Sequence, residues 1–136
     1  MNQPGATCRV LLVDDEVDFA SALALRLARR GFVTDVAHDG EAALAAARVA
    51  PPDVVLLDVQ LPGDDGVAVL ARLKREHPAS EIILLTGHAS AGSGLHGMRL
   101  GAFDYVLKPV AIEELCERLQ AAWARRRARA APAASG

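Results

Sequence analysis

Residues 54–58 read Val54-Val55-Leu56-Leu57-Asp58, four consecutive branched apolar residues followed at once by a carboxylate. A strand with one wet face alternates apolar and polar residues. An unbroken apolar run of this length is the mark of a strand buried on both faces, and the aspartate marks where it leaves the core. The same reading applies to four further runs. Upstream stand Arg9-Val10-Leu11-Leu12-Val13, ending in Asp14-Asp15-Glu16, and a weaker run over Val33 to Ala37. Downstream, Ile82-Ile83-Leu84-Leu85 ends in Thr86-Gly87, and Tyr105-Val106-Leu107 ends in Lys108-Pro109.

Helical periodicity fills the gaps between these runs. Phe19, Leu23 and Leu27 recur every four residues, and Gly31 after Arg29-Arg30 is a stop signal. Asp39 can cap a second helix carrying Ala43, Leu44 and Ala47, which ends before Pro51-Pro52. Val67, Leu70 and Leu73 make a third, ending near Pro78, and Ile112, Leu115, Leu119 and Trp123 line one face of a last helix. The segment between Thr86 and Gly101 holds three glycines in Ser90 to Gly97, so it reads either as part loop or as a soft helix. Strands alternating with helices predict an α/β fold, a doubly wound five-stranded parallel sheet with helices on both faces.

The bulk numbers fit one such unit. The chain has 136 residues, 51% of them hydrophobic, and a formal net charge of −2. That supplies a core for one domain and gives no sign of a polyanion binder or a disordered acidic chain. Cys8 and Cys116 match no zinc or redox spacing and read as free thiols in a reducing compartment. The first residues, MNQPGATCRV, hold no apolar stretch of signal-peptide length, and no run approaches the ~20 apolar residues of a membrane span. A cytoplasmic protein without membrane contact is expected. The organisation expected is a flexible N-terminus over 1–6, a compact domain over 7–125, and a basic then Ala/Pro-rich tail or linker start over 126–136. Across that boundary Arg125-Arg126-Arg127-Ala128-Arg129 suits a helix C-terminus, with a nucleic-acid stub or a linker to an output domain as alternatives.

In a parallel sheet, the residues just past the strand ends share one rim, and ligands sit there. Here that rim collects Asp14, Asp15, Asp58, Thr86 and Lys108. Clustered carboxylates repel one another. A divalent cation relieves that repulsion, and oxygen-only donors select a hard ion such as Mg²⁺.

Four stretches then carry a resemblance: LLVDDE (11–16), VVLLDVQLPGDDG (54–66), ILLTGH (83–88) and GAFDYVLKP (101–109). In this order and spacing, the chain resembles the receiver domain of bacterial response regulators, the CheY-like, flavodoxin-like (βα)5 unit of two-component signalling and phosphorelays. The resemblance implies that Asp58 takes a phosphoryl group from a histidine kinase or histidine phosphotransfer protein. It implies Mg²⁺, for which Mn²⁺ can substitute, held by Asp15 directly, Asp14 through water, Asp58, and the backbone carbonyl of Gln60. Lys108 would bind the phosphoryl oxygens, Pro109 would follow a cis bond, and Thr86 with Tyr105 would form the switch. That switch would alter the face of the fourth helix, fifth strand and fifth helix, and thereby a downstream protein or C-terminal output domain. Direct contact with nucleic acid is not implied, and a homodimer through the same face is compatible with the resemblance. Such a protein is no enzyme beyond its own phosphorylation and slow dephosphorylation. Gln60 and His88 depart from small residues beside the phosphoryl group and are expected to tune that dephosphorylation. Asp64 and Asp65 read as solvated loop acids.

Other classes fit less well. A haloacid-dehalogenase-type phosphatase needs a second aspartate two residues after the nucleophile, and Gln60 stands there. A P-loop hydrolase needs G-x-x-x-x-G-K-[ST], which the chain lacks. A flavodoxin-like FMN binder would set three acids against a phosphate. A receiver that works as an interaction module without phosphorylation is the remaining alternative, against which stands the presence of all five residue types.

Overall fold

A computed structural model describes residues 7–61, 64–87 and 96–130. In chain order the elements are β1 (Arg9–Val13), α1 (Val17–Arg29), β2 (Val33–Ala37), α2 (Gly40–Val49), β3 (Val54–Asp58), β4 (Gln60–Leu61), β5 (Asp64–Asp65), α3 (Gly66–Glu76), β6 (Glu81–Thr86), α4 (96–99), β7 (Asp104–Leu107) and α5 (Ile112–Ala130). The main sheet runs β2-β1-β3-β6-β7, with every neighbouring pair parallel. The five apolar runs are these five strands. β4 and β5 form a separate two-residue antiparallel ladder, Gln60 opposite Asp65 and Leu61 opposite Asp64. The stretch read as a loop with solvated acids thus contains a short hairpin.

Successive side chains of a strand point to opposite faces, and here both faces are covered. Leu11, Val13, Val55, Leu57, Ile82 and Leu84 pack with Ala43, Leu44 and Ala47 of α2 and Val69, Leu70 and Leu73 of α3. Val10, Leu12, Val54, Leu56, Ile83 and Leu85 pack with Ala20, Leu23 and Leu27 of α1 and Leu115, Leu119 and Ala122 of α5. That division explains the unbroken apolar stretches of β1, β3 and β6; the edge strands β2 and β7 are only partly buried, and β2 carries Thr34 and Asp35. A polar residue at any of the packed positions in β1, β3 and β6 would lie inside one layer or the other, losing roughly 1.5–3 kcal/mol of side-chain burial.

The helix boundaries follow their chemistry. Gly31, at φ 93°, ends α1, and Phe32 donates its N–H back to the Leu27 carbonyl at 3.1 Å while its ring is buried. Asp39 caps α2, its Oδ1 accepting from the Ala42 N–H at 2.7 Å. Of the glycine-bearing segment, residues 88–95 lie outside the described residues, but Gly97 in α4 has a packing reason. A Cβ there would fall 2.2 Å from Leu84 Cδ1. Glycine lets this helix lie directly on β6, a close approach rather than softness.

The last helix runs through Ala130, past the expected domain end at 125. Its arginines are docked at the sheet edge opposite the carboxyl ends of the strands. Glu81, at the start of β6 and 2% exposed, accepts from Arg129 Nη1 at 2.9 Å and lies 3.5 Å from Arg125 Nε. Arg126 pairs with Asp53, whose other oxygen accepts the Arg9 N–H. Both cysteines are free, and burial, with Asp53 nearby, pushes the Cys8 thiol up to about 12, so it packs as an apolar group. No helix among the described residues is long and apolar enough to cross a membrane.

Candidate functional site

The chain leaves β1 toward β2 on one side, while β3, β6 and β7 build out on the other. The strand order therefore reverses between β1 and β3, and the crevice at their carboxyl ends is where α/β sheets hold ligands. Asp14 directly follows β1 and Asp58 is the last residue of β3. Both are buried, Asp14 fully. Asp14 Oδ1 accepts the Glu16 N–H at 2.9 Å, and Asp58 Oδ1 accepts the Gln60 N–H at 2.9 Å, so each carboxylate is oriented by a backbone donor two residues on. His38, after β2, lies with Nδ1 2.9 Å from the Asp14 carbonyl oxygen and steadies the same turn.

Lys108 joins these acids. Its Nζ lies 2.9 Å from Asp14 Oδ2, 3.2 Å from Glu16 Oε1 and 3.2 Å from Asp58 Oδ2. Its N–H donates to the Thr86 carbonyl at 2.7 Å, which ties the loop after β7 to the end of β6, and the Lys108–Pro109 peptide is cis. Burial alone would lower the Lys108 pKa. The hydrogen bond to Asp14 and the charges of Asp58 and Asp14 outweigh it and hold the ammonium above its ordinary value. Burial pushes the Asp58 carboxyl above the usual carboxylate range, with Asp14 adding to the push, against the Gln60 N–H and Lys108, which pull it down. Thr86, at 0% exposure, ends β6 one residue past Leu85, the register partner of Asp58, and its Oγ1 has no hydrogen-bond partner among the described residues.

The rim thus brings together Asp14, Asp58, Thr86 and Lys108. It does not bring in Asp15: the acids with ligand atoms within 4.8 Å of one another are Asp14, Glu16 and Asp58. Asp15 lies beside them half-buried. The sequence pattern does not single out Glu16 as a site residue; the path of the β1–α1 loop turns it toward Lys108. Gln60 is exposed, His88 lies outside the described residues, and Tyr105 in β7 is half-buried against the α2/α3 layer. Tyr105 also lines a groove of about 440 Å³ between β7 and α5, with Leu107, Pro109, Glu114 and Arg118.

Three carboxylates against one ammonium leave a net negative pocket with only oxygen donors. That donor set fits a hard divalent cation, and fits a softer metal poorly because no sulfur or imidazole nitrogen of the described residues belongs to it.

Comparison with known proteins agrees with this geometry. The response regulator receiver domain profile matches residues 10–120. The chain belongs to the response regulator receiver domain family. This receiver is 38% identical over 116 residues to the transcriptional regulatory protein TrcR of Mycobacterium tuberculosis, covering 85% of this chain and 45% of that protein. It spans about half the length of the first curated relatives it matches. Among solved structures, the receiver domain of NtrX from Brucella abortus superposes with a TM-score of 0.81 at 34% identity, over 85% of this chain and 98% of that one. A CheY-like receiver domain protein from Methanospirillum hungatei has a TM-score of 0.85 at 24% identity, over 91% and 99%, and shares the fold. Receivers of this kind act in two-component systems, and the Asp14, Asp58 and Lys108 cluster stands at the carboxyl edge of that fold.

Proposed function

We propose that this receiver accepts a phosphoryl group on Asp58 from a phosphohistidine of a histidine kinase or phosphotransfer protein, and that the modified carboxylate is read through Thr86 and Lys108. The observation that carries the reading is the Thr86 hydroxyl, fully buried and without a partner among the described residues, beside a buried acid. Such an orphan is rare in a native interior, because leaving it unpaired costs about 1–3 kcal/mol. A group that arrives with new acceptor oxygens gives it a purpose.

Asp58 attacks phosphorus as a carboxylate. A P–O bond forms, the P–N bond to the donor imidazole breaks, and the imidazole leaves with the electron pair. Burial raises the basicity of Asp58, while the Gln60 N–H holds Oδ1 and leaves Oδ2 toward Lys108. Lys108, already within 3.2 Å of Asp58, can follow the charge onto the phosphoryl oxygens. Asp14, Glu16 and Asp58 would hold Mg²⁺ or Mn²⁺, and the resemblance adds Asp15 and the Gln60 carbonyl. When bound, the cation supplies a Lewis acid that draws charge from the phosphoryl oxygens.

Once Thr86 turns toward those oxygens, the space it leaves is open to Tyr105 on the neighbouring strand, where Thr86 pairs with Leu107. The groove of Tyr105, Leu107 and Arg118 is the surface such a movement would remodel. The output would be a partner protein or a C-terminal domain, and the receiver would be no enzyme apart from forming and losing its own phosphate. The test is intact mass after incubation with acetyl phosphate and Mg²⁺. One added phosphoryl group is expected, absent in Asp58→Ala and without metal. No adduct with acetyl phosphate or a phosphohistidine donor refutes the proposal and leaves an interaction module.

A further inference from the structure

Lys108 has a fourth neighbour that is not an acid. Its Nζ lies 4.6 Å from the ring centroid of Phe19, within the range of a cation–π contact. An ammonium has three N–H donors, and Asp14, Glu16 and Asp58 take all three. The ring therefore adds no competing hydrogen bond; it offers a negative face 4.6 Å from the ammonium.

Phe19 is well placed to act as a fixed wall. It stands in the first turn of α1 and packs against the apolar layer of Val10, Leu12, Leu23 and Leu115. One side of it lines a groove with Leu23, Val110 and Ile112, and Val110 follows Pro109 directly in the chain. The ring and the backbone that carries Lys108 thus belong to the same packed unit. Glu16, by contrast, has a side chain 63% exposed and can swing away.

We propose that Phe19 is a positioning residue for Lys108, holding the ammonium at the mouth of the acid cluster so that it can move onto a phosphoryl group on Asp58 without first being recovered from solvent. The proposal rests on the receiver chemistry given above. The carboxylates draw the lysine into the crevice, and the ring limits the directions in which it leaves. Without the ring, the long alkyl stem regains rotamers that point the charge outward, and fewer molecules are ready for phosphoryl transfer at any instant.

Two measurements test this. In the unphosphorylated protein, the Phe19 ring current is expected to shift the Lys108 ε-methylene protons upfield in NMR spectra, and Phe19→Leu, which keeps apolar bulk, is expected to remove that shift. With acetyl phosphate and Mg²⁺, Phe19→Leu is expected to slow phosphorylation of Asp58 roughly three- to tenfold. Phe19→Tyr, which keeps the ring, is expected to retain most of the rate. A purely structural role would not separate Leu from Tyr in this way once both variants are shown to be folded. A wild-type spectrum without the upfield shift overturns the proposal, as does a Leu variant as fast as wild type or a Tyr variant as slow as Leu. If wild type is not phosphorylated at all, the receiver chemistry fails instead, and the NMR result alone decides whether Phe19 holds Lys108.

Discussion

Replacing Thr86 with valine should make the unphosphorylated protein more stable, not less. The hydroxyl is fully buried and unpaired among the described residues, so in this state it brings only the cost of leaving water, about 1–3 kcal/mol on protein mutational scales. Valine keeps the β-branched shape that suits the end of β6 and puts a methyl group where the hydroxyl stood. Allowing for local relaxation, the expected gain is about 1–2 kcal/mol. For a chain of this length, each kcal/mol moves the melting temperature by about 3–4 °C, so Thr86→Val should melt about 3–8 °C higher. Calorimetry in EDTA gives the number, and urea unfolding with an unchanged slope shows that only the native state was altered. The advantage should shrink after phosphorylation, because the wild-type hydroxyl then bonds to a charged acceptor, worth about 1.5–3 kcal/mol. A valine variant no more stable than wild type would refute the reasoning, since the hydroxyl would then be satisfied in the resting state.

Three further outcomes follow from the same structure. Arg125→Ala with Arg129→Ala should destabilise the fold by about 1–3 kcal/mol in thermal melts, below the usual 3–5 for a broken buried pair because losing two half-exposed arginines lets water reach Glu81; adding Glu81→Leu should recover much of the loss. Asp58 has its carboxyl raised by burial, so its native pKa lies above the unfolded one, and its stability contribution is present below the ordinary carboxylate range and lost as pH rises through the native value. In EDTA, Asp58→Asn should therefore be more stable than wild type near pH 7, with the gap closing toward pH ~4 in urea titrations, and a gap that stays constant would contradict this. Gly97→Ala should lower stability by about 1–3 kcal/mol through overpacking against Leu84, although alanine favours helix; a more stable variant would show that α4 can lift off the sheet.

The main sheet was legible because its signal is local. A strand covered on both faces must be apolar at every position, and Val54 to Leu57 or Ile82 to Leu85 show this without any knowledge of the partner strand. The rim was legible for the same reason: Asp14, Asp58, Thr86 and Lys108 each sit where an apolar run stops, and parallel strands bring such stops together. The Asp39 cap and the Gly31 stop are also short-range, settled within four or five residues of chain.

Other features depended on how distant segments meet. Glu16 and Asp15 are adjacent in sequence and alike in chemistry, yet Glu16 reaches Lys108 and joins the acid cluster, while Asp15 does not. Nothing in local pattern separates them; the direction of the β1–α1 turn does. Phe19 reads as one more member of a helix core stripe until the loop after β7 brings a charge over its ring. The arginines of the last helix read as a solvated helix end until β6 starts with a buried glutamate beneath them, 48 residues away in the chain. Sequence by itself determined which residues enter the interior and which end a strand, because burial and backbone geometry act residue by residue. Only the tertiary structure decided which charges pair, because a Coulomb partner or a ring face is chosen by distance across the fold, and that distance is set by packing rather than by any spacing along the chain.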